Sequence, residues 1–311
     1  MELEFSLCSL KELDNIQPKP EYVFVTSMTD FNFVKKFMNE CKVISPSLIR
    51  GKSSDEVYDI FMNHISELQE VYESLVDEES RRTFRGYWIG CISGQLNEIV
   101  YASTPQYICP GFIPKSGDVV IDCGAFDGGT SVRFVNMGCK VYGFEINETN
   151  FKIANKLAKE RNFVVENLGL GSCKYETGYT DGSLASHLDI NSPKRIKITT
   201  LDSYVGENEI SHVDFIKMDV EGAELDILKG SAITISRFKP ILAISAYHKL
   251  DDFWTLMNFI KSVRSDYEFA IRQYASKRED SDFPKYLEDL FIKYGLDPEL
   301  PGYEECVLFA R

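Results

Sequence analysis

The chain has 311 residues, of which 44% are hydrophobic and 26% are charged, and this balance excludes a disordered or collagen-like protein. Lys and Arg number 34 against 48 Asp and Glu, so the formal net charge of −14 disfavours a nucleic-acid substrate, whose phosphates would be repelled. The length allows one large α/β domain with an appendage, or two domains.

Membrane and metal classes are also disfavoured by the sequence. No apolar run approaches the roughly 18 residues that a membrane-spanning helix needs, and the acidic, interrupted start of the chain is unlike a secretory signal. The eight cysteines form neither a C-x-x-C pair nor a cluster with histidine. We therefore expect a cytoplasmic protein with buried, reduced cysteines, without structural zinc and without membrane association.

Two helices are predicted in the first 110 residues. Apolar residues recur at steps of three and four between Ser53 and Leu75, which indicates one face of a long helix. Ser53 and Glu56 have the spacing of a capping box at its start. A second helix is predicted over about residues 79–92, with four side chains on its inner face: Phe84, Tyr87, Trp88 and Cys91.

Gly and Pro cluster over residues 105–117, and this cluster marks the predicted domain boundary. Residues 1–110 are interpreted as a mainly helical region that could cap a ligand crevice. Residues 111–311 are interpreted as an α/β domain with an insertion at about 276–300. Three aromatic residues near the boundary could form apolar walls of the crevice or pack between the domains: Tyr101, Tyr107 and Phe112.

Five short apolar runs alternate with helical segments after the boundary, a pattern that predicts βαβ units and a parallel sheet covered on both faces. Two further runs near the end are separated by a charged stretch and are expected to be edge strands. The five alternating runs and the two later ones are residues 119–121, 141–144, 163–165, 213–216, 241–244, 267–271 and 306–309.

The first of these strands leads into a glycine-rich segment, D-C-G-A-F-D-G-G-T, at residues 122–130. Its glycines remove Cβ atoms that would hold a ligand away from the backbone, and the start of the following helix presents N–H groups to negative charge. The spacing G-x-x-x-G-G differs from the dinucleotide fingerprint G-x-G-x-x-G. The loop predicts a nucleotide-type ligand without specifying which one.

Acidic residues stand at the ends of several predicted strands. Glu145 ends the second strand, where an acidic side chain can accept both hydrogens of a ribose diol. Because the carboxyl ends of parallel strands share one edge, we expect Asp122, Glu145, Asp219, Glu221 and His248 to converge. Asp122 and Glu145 could instead be a turn cap and a solvated carboxylate, and the acids after Asp219 could serve a helix dipole.

Four segments together resemble the FkbM-type S-adenosylmethionine-dependent methyltransferases, over about residues 117–275. The resemblance implies the seven-stranded, doubly wound class I methyltransferase fold and methylation of hydroxyl oxygens, mostly on sugars or secondary metabolites. The segments are DCGAFDGGT (122–130), VYGFE (141–145), TLDSY (200–204) and, most specific of all, FIKMDVEGAELDILKG (215–230).

The resemblance also implies roles for individual residues. Glu145 would bind the ribose of S-adenosylmethionine, Asn167 would lie near its adenine, and Asp219 would face its sulfonium. The chain departs from many relatives at Phe126, where they carry Asn, and at Ser245, where they carry Glu. The residues implied to hold the methionine part are Asp122, Gly124, Ala125, Gly128, Gly129 and Thr130.

A hydroxyl acceptor benefits from a general base that removes its proton. His248, which follows the fifth predicted strand, is the first candidate by side-chain type and position, and Asp219 is the second. His187, in a glycine- and serine-containing loop that could form a lid, is the third. A divalent metal held by Asp219 and Glu221 would lack an identifiable third ligand, so no metal is predicted.

Three other functions are compatible with parts of the pattern. A nicotinamide-dependent oxidoreductase shares the glycine loop and acidic strand end but normally carries G-x-G-x-x-G. A non-catalytic adaptor could retain S-adenosylmethionine binding. A nucleic-acid amino-methyltransferase would carry a proline-rich turn where this chain has residues 219–222. The expected partner is a small-molecule or carbohydrate acceptor, with no nucleic acid, and a homo-oligomer is compatible with the sequence.

Overall fold

The computed structural model describes residues 22–24, 42–44, 54–93, 99–180, 187–274 and 305–311. The backbone divides into two compact units. The first unit comprises Met1–Ser66, Glu78–Ser103 and Gln273–Glu305, and the second comprises Glu67–Asp77, Thr104–Arg272 and Cys306–Arg311. The predicted insertion at 276–300 lies outside the described residues.

The first unit contains two short strands and helices. Strand β1 (Tyr22–Phe24) pairs in parallel with β2 (Lys42–Ile44). Helix α1 (Ser54–Asn63) packs against α3 (Glu78–Ser93). All four side chains predicted for the inner face of α3 are buried, which confirms that helix and its orientation: Phe84, Tyr87, Trp88 and Cys91.

The predicted long helix between Ser53 and Leu75 is interrupted at His64. Helix α1 ends at Asn63, and α2 (Ile65–Ser74) begins one residue after the break. The His64 N–H is shared between the Ile60 and Phe61 carbonyls, at 3.1 and 3.3 Å, as in a tightened helix end. The prediction of one continuous helix was therefore wrong at this residue, and the proposed capping box at Ser53 lies outside the described residues.

The second unit is an α/β structure. Its strands are β3 (Val119–Cys123), β4 (Lys140–Phe144), β5 (Val164–Glu166), β6 (Gly169–Leu170), β7 (Tyr175–Thr180), β8 (His187–Leu188), β9 (Arg195–Thr199), β10 (Phe215–Met218), β11 (Ile241–Ser245), β12 (Phe269–Gln273) and β13 (Cys306–Ala310). Its helices after α2 are α4 (Gly129–Asn136), α5 (Glu148–Arg161), α6 (Leu201–Glu207), α7 (Glu224–Lys229), α8 (Ala232–Phe238) and α9 (Asp252–Val263).

Seven strands form the main sheet, in the order β12-β13-β11-β10-β3-β4-β5. The pairs from β11 through β5 are all parallel, and β13 runs antiparallel to β11. Every residue of β3 and β10 is buried, as expected for strands covered by helices on both faces. The topology confirms the predicted doubly wound seven-stranded sheet.

One strand lies elsewhere than predicted. Strand β13 was expected at an edge of the sheet, but it lies between β12 and β11, and only β12 is the edge strand at that side. All five residues of β13 are buried and four of them, Val307 to Ala310, pair with β11. A strand that is apolar on both faces gains most from an interior position.

A second sheet of four short strands, β6-β9-β7-β8, was not predicted. Strand β9 has the sequence RIKIT and alternates exposed and buried residues, and β7 is largely polar. Such strands lack the continuous apolar run that marked the main sheet.

In the described ranges, no helix is both long and apolar enough to cross a bilayer. The cysteines described there are free, and Cys173 is the exposed one among them.

Candidate functional site

The carboxyl ends of β3, β4, β10 and β11 lie side by side, because Cys123 pairs with both Phe144 and Met218 and Met218 pairs with Ile244. The glycine loop begins at Gly124, whose backbone has φ +80°. A Cβ atom at this position would lie 1.9 Å from the Asp219 carbonyl oxygen, so only glycine lets the loop approach the end of β10 this closely.

The remainder of the loop leads into helix α4. Ala125 is buried and donates its N–H to the Phe144 carbonyl at 2.9 Å, which ties the loop to β4. Gly128 caps α4 with φ +89°, and Gly129 donates its N–H to Asp127 Oδ1 at 2.8 Å. Thr130 lies in the first turn of α4. The N–H groups of a first turn have no acceptor within their own helix, so this end of α4 can receive a negatively charged group.

Glu145 follows β4 and is only 7% exposed. Its Oε2 accepts the Phe126 N–H at 2.9 Å, and its Oε1 accepts the Asn147 N–H at 2.7 Å. Burial raises the pKa of Glu145, although these two hydrogen bonds oppose the rise. A carboxylate offers about four acceptor positions, and the two that remain suit the two hydroxyls of a diol.

Two asparagines support this strand end. Asn147 caps helix α5, because its side chain accepts the N–H groups of Thr149 and Asn150 at 2.8 and 3.1 Å. Glu145 is therefore not the solvated cap that the alternative interpretation proposed. Asn167, past β5, donates its side-chain N–H groups to the carbonyls of Glu145 and Ile146, at 2.8 and 3.2 Å, and so holds the backbone that carries Glu145.

Asp122 is fully buried and has protein partners on both carboxylate oxygens. The Ser131 hydroxyl donates to its Oδ2 at 2.6 Å, and Lys217 Nζ lies 3.0 Å from its Oδ1. Lys217 also donates to the Cys123 and Gly124 carbonyls. Asp122 is thus placed to anchor the glycine loop from within the sheet, through a lysine that sequence reasoning did not single out.

Lys217 is a cation inside the sheet. Burial alone would lower its pKa, but the charges of Asp122 and Asp219 outweigh that effect and the pKa is raised. Its Nζ also lies 5.3 Å from the centre of the Tyr107 ring, within the range of a cation–π interaction. The side chain is therefore charged, and it must be paired to remain so at 3% exposure.

Asp219 follows β10 and is held by two tyrosine hydroxyls. Tyr107 donates to Oδ2 at 2.6 Å and Tyr247 to Oδ1 at 3.3 Å. Burial opposes the charge of Asp219, but Lys217 and His248 outweigh it and lower the pKa. Asp219 is therefore an ionised carboxylate at the end of the strand.

The three aromatic residues near the predicted boundary have separate positions. Tyr107 is buried with φ +62° and reaches the end of β10, and its hydroxyl lies 3.3 Å from Ser245 Oγ. Phe112 packs its ring against Phe309, with 6.0 Å between ring centres, and belongs to the core of the second unit. Tyr101 belongs to the first unit, where it bridges to Gln273.

His248 lies after β11, among three carboxylates. Its Nδ1 is 2.7 Å from Glu224 Oε1, and its Nε2 is 3.6 Å from both Asp219 Oδ1 and Glu221 Oε2. Burial disfavours the charged ring, but the hydrogen bond to Glu224 and the three negative charges raise the pKa of His248 to about 9. The Nε2 atom is buried and has no hydrogen-bond partner among the described residues.

The five residues that were expected to converge at this edge of the sheet form two groups. Asp219 and Glu221 each lie 3.6 Å from His248 Nε2. Asp122 pairs with Lys217, and Glu145 accepts the Phe126 N–H of the glycine loop. The backbone of His187 lies in β8, but its side chain is outside the described residues. Among the residues that the structure describes, no cluster of His, Cys, Asp and Glu could hold a metal ion.

Comparison with known proteins connects this site to one family. A model of the "Methyltransferase FkbM domain" matches residues 122–278, about half of the chain. The crystal structure of an FkbM methyltransferase from Methylobacillus flagellatus KT is similar at 19% identity, with a TM-score of 0.67, over 97% of this chain and 76% of that one. This likeness establishes the class I methyltransferase fold.

Other solved structures are more distant. A putative rRNA-methylase from Clostridium thermocellum has 9% identity and a TM-score of 0.38, over 67% of this chain and 96% of its own. A precorrin-6y C5,15-methyltransferase from Geobacter metallireducens GS-15 has 12% identity and a TM-score of 0.38, over 68% of this chain and 92% of its own. Similarity at this level carries no argument about function. A search of curated proteins found no match.

The Lys217–Asp122 pair makes a prediction about stability. Lys217→Met should lower the free energy of unfolding by about 3 to 5 kcal/mol, because it leaves the Asp122 carboxylate buried without its cation. Lys152→Met is the control, since Lys152 pairs with Glu148 on the surface, and it should leave denaturant unfolding unchanged. An equal change in the free energy of unfolding for Lys217→Met and Lys152→Met would contradict a buried charge pair. Adding Asp122→Asn to the Lys217→Met protein should recover part of the lost stability, because it removes the unpaired charge.

Proposed function

Because the chain belongs to the FkbM methyltransferase family, we propose that it is an S-adenosylmethionine-dependent enzyme that methylates a hydroxyl oxygen of a sugar, glycan or secondary metabolite. The observation that carries the choice of a hydroxyl is the buried Nε2 of His248, which lies beside the Asp219 and Glu221 carboxylates and has no hydrogen-bond partner within the described ranges. A hydroxyl can accept one hydrogen bond and donate another, so it suits a point that a ring nitrogen and carboxylates share.

The residues of the loop and strand ends fit S-adenosylmethionine. Glu145 keeps two acceptor positions for the ribose diol after its two backbone hydrogen bonds are counted. The start of α4 would receive the methionine carboxylate, and Gly124 lets this part of the chain approach closely. Asp122 would act through the loop that it anchors, and Asn167 through the backbone beside Glu145.

When bound, S-adenosylmethionine supplies a methyl group on a positively charged sulfur, ready for displacement in line by a nucleophile. The protein's main task is then to align the acceptor oxygen with that methyl group. Asp219, which Lys217 and two tyrosines keep ionised and in place, would stabilise positive charge on its side of the crevice. His248 would take the proton from the acceptor hydroxyl through Nε2.

The test of this function is incubation of the purified protein with methyl-labelled S-adenosylmethionine and a panel of acceptors. The panel should contain glycans, nucleotide sugars and small alcohols, with NADH-dependent reduction measured in parallel. Transfer of label to an oxygen of one acceptor is expected. Cofactor binding with no transfer across the panel would favour the adaptor, and hydride transfer would favour the oxidoreductase.

Glu145→Ala should weaken binding of S-adenosylhomocysteine by about 1 to 3 kcal/mol, because the ribose hydroxyls lose their buried acceptor. Isothermal titration calorimetry measures this directly. Glu148→Ala is the matched control, since Glu148 lies three residues further on in an exposed pair with Lys152 and should not affect binding. Unchanged affinity in a folded Glu145→Ala protein would refute the ribose assignment.

His248→Ala should lower turnover at least about tenfold while changing cofactor affinity no more than about threefold, because the base acts on the acceptor. His212→Ala is the control, since His212 is exposed and precedes β10. Turnover of the His248→Ala protein equal to that of the control would remove His248 from the mechanism.

Turnover should also depend on pH in a defined direction. The pKa of His248 is raised to about 9, so the ring is protonated at neutral pH and can accept a proton only as the pH rises towards that value. Turnover with the true acceptor should therefore increase between neutral and alkaline pH. A rate that falls over this range would contradict a base of raised pKa.

A further inference from the structure

Glu224 is the first residue of α7, yet it is only 1% exposed. A carboxylate that merely serves a helix dipole normally lies in solvent, so burial here calls for specific partners. Its Oε1 is 2.7 Å from His248 Nδ1 and also accepts the N–H groups of Val220 and Gly222, at 3.2 and 3.4 Å. The carboxylate therefore joins the turn after β10 to the histidine after β11.

The chemistry of this contact determines which ring nitrogen faces the crevice. An ionised carboxylate only accepts hydrogen bonds, so Nδ1 of His248 must carry the hydrogen that lies against Glu224. The other nitrogen, Nε2, is 3.6 Å from the nearest atoms of Asp219 and Glu221, which is too long for a hydrogen bond. With 9% of the side chain exposed, Nε2 is a nearly enclosed polar atom without a hydrogen-bond partner in the described part of the chain, and it is therefore available to a ligand.

We propose that Glu224 is a positioning residue, which holds the Nδ1–H of His248 so that Nε2 is the nitrogen that receives the proton of the acceptor hydroxyl. This inference rests on the proposed function of the same site. The acceptor oxygen gives its proton to Nε2 as its electron pair forms the bond to the methyl carbon. The carbon–sulfur bond breaks and its electron pair stays on sulfur, while the Nδ1–H remains with Glu224.

Several charged groups face His248 and must be considered together. Asp219 and Glu221 come from the segment after β10, Glu224 from α7, and Asp252 from α9. Burial and the charge of Glu224 raise the pKa of Asp252 to about 7, so Asp252 is partly neutral and Glu224 is the charge in direct contact with the ring. Tyr247, whose ring centre is 4.2 Å from that of His248, contributes packing. Removal of the Glu224 charge should therefore lower the pKa of His248 more than removal of any neighbour's charge.

The experiment compares Glu224→Gln with Glu221→Gln, because both substitutions remove one negative charge near His248 but only the first neutralises the group that is hydrogen-bonded to Nδ1. The imidazole of His248 is titrated by NMR in the whole protein, and its signal is identified among the four histidines as the one missing from a His248→Gln protein. The pKa of His248 should fall by about 1 to 3 units in Glu224→Gln and by less in Glu221→Gln. A fall in Glu224→Gln no larger than in Glu221→Gln would overturn the proposal.

Turnover measured across the same pH range separates the two levels of inference. In Glu224→Gln the midpoint of the rate profile should move to lower pH with the NMR titration, and the plateau should fall because a neutral amide holds the Nδ1–H less strongly than a carboxylate does. A shifted NMR titration with an unmoved rate profile would show that His248 is not the base, and would overturn the positioning role with it. If Glu224→Gln does not fold, Glu224→Asp keeps the charge but withdraws it by one methylene, and an unchanged His248 titration would then count against the proposal.

Discussion

The charge of Lys217 is the interaction on which the rest of this site depends. Lys217 and Asp122 are register partners on the central strand β10 and its neighbour β3, and both are almost completely buried. A buried charge is costly unless it is paired, so the lysine in FIKM is tolerated because the aspartate stands opposite. The same amino group binds the Cys123 and Gly124 carbonyls and lowers the pKa of Asp219. One cation thus fixes the start of the glycine loop and keeps Asp219, at the end of its own strand, ionised.

Much of the main sheet could be predicted because a strand covered on both faces must be apolar along its whole length. The five alternating runs met this condition apart from Asp214 in the fourth, and each is now a strand within one or two residues of its predicted bounds. Strands that are exposed on one face carry no such run, which explains why β7 and β9 were missed. The order of β12 and β13 could not be predicted either, since an apolar strand does not reveal which neighbours it will have. The break at His64 lies within an otherwise regular helical pattern and has no sequence signal of its own.

The candidate site was predictable to the extent that its residues end strands. Glu145, Asp219 and His248 could be identified because parallel strands bring their carboxyl ends to one edge. The hydrogen-bond partners of Tyr107 and Glu224 could not be predicted, because they come from other segments of the chain. Tyr107 and Asp219, for example, are separated by 112 residues in the sequence. Lys217 did leave a signal, a charged residue within a strand that is otherwise apolar. The rule that buried charges are paired would have directed attention to it.

A crevice that receives a positively charged ligand has to hold negative charge before that ligand arrives. Here Asp219, Glu221 and Glu224 supply the charge and raise the pKa of His248 to about 9. The ring therefore holds a proton, which compensates part of that negative charge. Under the proposed function, the positive sulfonium would lie beside Asp219, close to the protonated ring of His248. Two positive charges repel each other, so the sulfonium would lower the pKa of His248. The histidine would then lose its proton most readily when the methyl donor is in place. The same carboxylates would in this way attract the donor and, once it is bound, leave Nε2 free to accept the proton of the acceptor.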